Sequence, residues 1–149
     1  MAENLQTFLR QQVANFSILT NKLMHCHFYA HGPGFFTIHN ELREEFHYSF
    51  QKVDDLAERL LMIDGMEADI PTTLKEQLEL STLGENQKEL KDVPAMVEAI
   101  LADYTRLINE LKSGIALAEE QDDPVTEDLF IGIIGYLEER KWQFEAYLF

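Results

Sequence analysis

The sequence predicts an all-α protein, a four-helix bundle with one long middle connection, and three observations carry that prediction. Glycine and proline are scarce, 7 and 4 in number, and so clustered that residues 1–31, 35–64 and 95–113 contain neither; such gaps suit long uninterrupted helices. Within the gaps, apolar residues recur at three- and four-residue steps, the period of one helix face. No repeat, low-complexity tract or alternating strand pattern competes with that reading.

The first helix follows from Leu5, Leu9, Val13, Phe16 and Leu23. His31-Gly32-Pro33-Gly34 ends it, because glycine and proline together neither continue a helix nor fill a strand interior. The second helix runs from Phe35 to about Ile63 on Leu42, Phe46, Val53, Leu56 and Leu60, with Ala57 and Ile63 widening the stripe. The polar stretch from Asp64 to Val93 holds Pro71 and Gly84 and is too long for a bare connection. Thr73 to Leu78 reads as a short helix inside this crossover. The third helix starts at Pro94, a good first-turn residue, and continues through Val97, Ile100, Tyr104, Leu107, Leu111 and Ile115. Asp123-Pro124 is a cap followed by a first-turn proline, and Leu129, Ile133, Leu137, Phe144 and Leu148 carry the fourth helix to the end.

At 149 residues the chain suits one domain, 1–149, with one core. Its 46% hydrophobic content, without an apolar run long enough to span a bilayer, fits a protein that folds in water. Asp and Glu number 27 against 12 Lys and Arg, a formal charge of -15, which repels nucleic acid and anionic lipid and concentrates cations. A lone cysteine, Cys26, forms no intrachain disulfide and reads as a small buried apolar residue. Met1-Ala2-Glu3-Asn4 lacks the basic and apolar regions of a secretory signal, so the expected compartment is the cytoplasm.

All five histidines, His25, His27, His31, His39 and His47, fall before residue 48. A di-iron site inside one bundle needs two Glu-x-x-His pairs on different helices. Glu44-Glu45-Phe46-His47 supplies one, and no histidine remains for a second. On the second helix, His39 and Asp54 project within about 60° of each other, and Glu58 lies one turn beyond Asp54. The rise over fifteen residues nevertheless separates His39 from Asp54 by roughly 22 Å, far beyond a metal–ligand bond. Two antiparallel copies of this helix could close the gap across a twofold axis. The same flank carries Phe36, Phe50 and Leu61, more apolar surface than a solvated face needs. His27 continues the first helix's stripe four residues after Leu23, so it points inward, where an unpaired imidazole nitrogen would cost about 1–3 kcal/mol. It needs a hydrogen-bond partner or a metal. Imidazole with carboxylate ligands suits ferrous iron, with zinc or manganese as competitors.

These residues resemble the Dps family, the mini-ferritins named for DNA protection during starvation. The resemblance rests on His25-Cys26-His27-Phe28-Tyr29, Gly34-Phe35-Phe36-Thr37-Ile38-His39 and Asp54-Asp55-Leu56-Ala57-Glu58-Arg59-Leu60-Leu61. Thr73-Leu74-Lys75-Glu76, Asp123-Pro124-Val125-Thr126-Glu127-Asp128 and Lys141-Trp142-Gln143-Phe144 extend it over essentially the whole chain. It implies a ferritin-like bundle and a hollow dodecamer that oxidises Fe(II), usually with hydrogen peroxide and alternatively with dioxygen, and stores Fe(III) as mineral. It also implies a ferroxidase centre at a dimer interface, with His27 and His39 from one subunit and Asp54 and Glu58 from its twofold mate.

Four residues after His39, where the family usually has an acidic ligand, stands Arg43. Three outcomes stay open: a weak second metal position, partial replacement by Glu44 or His47, or loss of fast oxidation in a cage that only sequesters metal. Family position further implies that Glu119, Asp123 and Asp128 line a threefold pore attracting Fe(II), although acidic residues there equally suit a helix cap and first turn. Glu41, Glu44 and Glu45 are expected to face the cavity and seed mineral. DNA binding is not expected, because neither Met1-Ala2-Glu3-Asn4 nor the ending at Phe149 supplies a basic tail.

Overall fold

The computed structural model describes residues 3–84 and 92–149. Its elements are α1 (Leu5–Tyr29), α2 (Phe35–Asp64), a 3-10 turn (Gly65–Glu67), α3 (Leu74–Leu80), α4 (Val93–Glu120) and α5 (Pro124–Leu148), with no strand among the described residues. Four long helices and the short helix of the crossover stand where periodicity and punctuation put them. The chain packs as two compact units, one of Gln6–Met96 and one of Val97–Phe149 joined by the N-terminal residues up to Leu5.

In the first unit, α1 and α2 run antiparallel. Gln6 donates to Asp64, Ser49 Oγ to the Phe16 carbonyl, and His27 meets His39, so partners on α2 descend as those on α1 rise. Glycine makes the reversal possible: Gly32 and Gly34 have φ of 92° and 77°, values that an L side chain rarely adopts. Leu9, Val13, Phe16, Leu19 and Leu23 of α1 and Leu42, Leu56 and Leu60 of α2 are buried. The crossover returns along α1, with Arg10 bonded to Asp69, Asn15 accepting from Ser81 and Thr82, and Lys22 Nζ donating to the Leu83 carbonyl. Thr73 caps α3 through Glu76 N, and its hydroxyl also donates to the Glu76 carboxylate.

In the second unit, α4 and α5 are also antiparallel, since Lys112 pairs with Glu138 and Tyr104 packs edge-on against Phe144. Their reversal is short. Asp122 takes the left-handed φ of 53°, which a short polar side chain tolerates, and Asp123 N donates to the Ala118 carbonyl. Asp123 then caps α5 by accepting from Thr126 N at 3.0 Å, with Pro124 at the first position, as the Asp-Pro pair predicts.

Candidate functional site

Where α1 ends and α2 begins, two histidines are locked together. His27 Nδ1 donates to the His39 carbonyl at 2.7 Å, and His39 Nδ1 donates to the His27 carbonyl at 2.9 Å. A carbonyl only accepts, so each Nδ1 carries a proton, and in a neutral ring so held Nε2 is the nitrogen with the lone pair. The rings stack 3.7 Å apart at 17°, with Phe35 stacked on His39 and Phe46 edge-on to His27. His27 is buried and its pKa lies below the ordinary 6.5, chiefly because burial disfavours the imidazolium, with His39, Arg43 and His47 adding like charge. A neutral imidazole held by Nδ1 to a carbonyl, with Nε2 open, is the state that binds a metal ion.

The carboxylates stand further along α2 and are exposed. Glu58 has its pKa raised above 4.5, first by a hydrogen bond with Asp54 and then by the charge of Asp54. The two carboxylates stand one helical turn apart, and the negative charge of Asp54 opposes ionisation of Glu58. Asp55 is different. Burial alone would raise its pKa, but hydrogen bonds from Lys52 at 2.7 Å and Gln51 at 3.0 Å overturn that and lower it. Asp55 is engaged within its own helix, and the exposed Asp54 and Glu58 lie beside it.

Among the described residues no group of three or more His, Cys, Asp or Glu converges to hold a metal. One chain presents a pair of imidazoles and, separately, a pair of carboxylates. Glu44 and His47 are exposed on α2 and do not join the imidazoles in such a group. Arg43 does approach them: its Nη2 lies 3.5 Å from His39 Nε2, while Nη1 donates to Asn40 Oδ1 at 3.1 Å. This contact follows from the i,i+4 spacing of His39 and Arg43, although spacing alone does not show that the guanidinium turns toward the ring. Cys26 is buried, as expected of a small apolar residue. His25 is buried too, with Nε2 lacking a hydrogen-bond partner, whereas His31 is exposed.

At the other reversal, Asp123 serves as a helix cap, while Glu119 and Asp128 are exposed. Glu127, which sequence reasoning missed, has its pKa raised by burial and by Glu119, to which it is hydrogen-bonded. Its first-turn position in an acidic segment was the available signal. Glu45 is a correction. It is fully buried rather than facing a cavity, because it falls on the stripe of Leu42, Ser49, Leu56 and Leu60; Glu41 is half-buried and Glu44 exposed. The expected apolar flank is present, with Phe36, Phe50 and Leu61 at 80%, 66% and 37% exposure.

Residues 6–149 match the family model of the ferritin-like domain. The chain is 40% identical over 140 residues to DNA protection during starvation protein 2 of Bacillus anthracis, covering 94% of this chain and 93% of that one. It is 35% identical over 148 residues to general stress protein 20U of Bacillus subtilis, covering 99% of each. Among solved structures, Dps from Staphylococcus aureus superposes with a TM-score of 0.92 at 35% identity, covering 99% of each chain. Dps from Listeria innocua soaked with cobalt superposes equally well, at 0.92 and 31% identity, covering 99% of this chain and 93% of that one. With its all-α ferritin-like architecture, the chain belongs to the Dps family of mini-ferritins.

Proposed function

We propose that the protein oxidises Fe(II), with hydrogen peroxide as oxidant, at sites shared between subunits, and stores the Fe(III) in a hollow shell of twelve chains. The observation that carries this reading is the reciprocal His27–His39 pair. Two imidazoles with fixed Nδ1 protons and available Nε2 lone pairs are half of a metal site. The other half, Asp54 and Glu58, begins about 22 Å beyond His39 along α2, so a twofold mate is the source we assign to it. The exposed Phe36, Phe50 and Leu61 on α2 give such a mate an apolar surface to cover. The imidazoles then hold Fe(II), and the carboxylates favour the harder Fe(III). Each peroxide takes one electron from each of two Fe(II) ions and two protons, yielding two waters, so little hydroxyl radical escapes.

The charge of -15 draws cations toward the protein and opposes binding to DNA. No helix among the described residues is long and apolar enough to cross a membrane, and we place this activity in the cytoplasm. Zinc competes for the same ligands. The acidic groups Glu119, Asp123 and Asp128 at the α4–α5 reversal are assigned to a pore for Fe(II), with Asp123 also capping its helix. The contact of Arg43 with His39 favours a second reading, a cage that sequesters divalent metal with little oxidation.

Anaerobic loading with Fe(II), followed by hydrogen peroxide, tests the choice through ferric absorbance. Rapid oxidation is expected in the parent, falling by at least about tenfold in His27→Ala and in Asp54→Ala. Oxidation no faster than in buffer, with Fe(II) still retained, would leave the sequestering cage.

A further inference from the structure

Resting on the metal site just proposed, we infer that Arg43 tunes its affinity, as a built-in positive charge that competes with the incoming cation for His39 and sets the metal concentration at which the site fills. His39 Nδ1 is committed as donor to the His27 carbonyl, which leaves Nε2 of the neutral ring as the nitrogen a metal would use, and the group in front of it is the Arg43 guanidinium at 3.5 Å. Guanidinium has donors only and stays protonated throughout the range in which proteins are stable. A divalent ion at that nitrogen must come within about 2.1 Å, so the guanidinium and the ion cannot share one lone pair.

The cap is also weakly held. Its distance exceeds that of a strong hydrogen bond, its second anchor is the single bond to Asn40 Oδ1, and the side chain is exposed. It can withdraw, but it remains tethered to α2 one turn from His39, where its charge continues to oppose a dication. The guanidinium caps His39 Nε2 and not His27 Nε2, so the two imidazoles are unequal toward metal. The site therefore fills only when Fe(II) is abundant enough to displace a resident charge, and oxidation begins above that threshold.

Cobalt(II), which does not turn over with the protein under nitrogen, separates binding from oxidation. Titration calorimetry on the assembled protein, with His39→Ala defining the histidine-dependent event, compares the parent with Arg43→Gln and Arg43→Lys. Arg43→Gln is expected to tighten that event by about tenfold or more, because it removes a full charge from beside a dication. Arg43→Lys keeps the charge and is expected within about threefold of the parent. Equal cobalt affinity in the parent and Arg43→Gln would overturn the role of Arg43 while leaving the metal site standing. A lysine variant as tight as the glutamine variant would overturn it as well, placing the effect in guanidinium shape. No histidine-dependent cobalt in any of the three would bring down the metal site itself, and this inference with it.

Discussion

The two halves of the candidate centre are built on opposite principles. His27 and His39 are satisfied inside one chain, where each Nδ1 proton goes to the other's carbonyl and aromatic rings close around the pair. Asp54 and Glu58 are exposed, and what they find in their own chain is each other. The imidazole half thus belongs to the fold as well as to the proposed chemistry, whereas the carboxylate half contributes to the fold almost nothing. Substitution exposes that difference most strongly. His27→Ala is expected to lower unfolding stability by about 2 kcal/mol, since it empties a buried position and strips the His39 carbonyl of its donor. Glu58→Gln, a surface change, is expected to unfold at the same urea concentration as the parent. Urea unfolding of both variants checks the contrast, and equal losses would erase the distinction between the halves.

A second test uses protons, because the two halves move in opposite directions. His27 has a folded pKa below the unfolded 6.5, mainly through burial, so between those values the unfolded chain binds more protons. Its contribution to stability is complete above 6.5 and is lost as pH falls through the folded value. Glu58 has a folded pKa above the ordinary 4.5 through Asp54, so its contribution is present at low pH and lost as pH rises through that value. Thermal melts on acidification from about pH 7.5 to about pH 5 should show the parent losing stability, and Glu58→Gln losing it at least as steeply, because the opposing gain from Glu58 is gone. A parent curve flat over that interval would mean that His27 is not held neutral by burial.

Helix boundaries were legible because proline, glycine and aspartate act locally. Gly32 and Gly34 stop α1, Thr73 caps α3, and Asp123 with Pro124 starts α5 within a residue of the predicted positions. The separation of His39 from Asp54 was also legible, because helical rise makes the two too distant for one ion within one chain. Contacts that depend on side-chain rotation were not. Nothing in the spacing of His27 and His39 requires each to bond the other's carbonyl. Glu45 differs from these: it is expected to face the cavity with Glu41 and Glu44, but its helical spacing from Leu42 already puts it on the buried stripe of α2. Arg43 stood out in sequence by its charge, but its approach to His39 Nε2 depends on a rotamer.

The finest contrast lies between neighbours. Asp54 and Asp55 are adjacent in sequence and identical in chemistry, yet Asp55 accepts from both Lys52 and Gln51, whereas Asp54 turns toward Glu58. Asp55→Asn removes the charge of an ion pair between partly exposed groups, for which about 0.5 kcal/mol of stability is expected to be lost, with Fe(II) oxidation unchanged. Asp54→Asn should do the reverse, leaving stability in place and slowing oxidation by at least about tenfold. Side-by-side melting curves and ferric absorbance traces read both effects. If Asp55→Asn slowed oxidation as much as Asp54→Asn, the bonds from Lys52 and Gln51 would not be keeping Asp55 from the metal, and the division of labour between the two neighbours would fail.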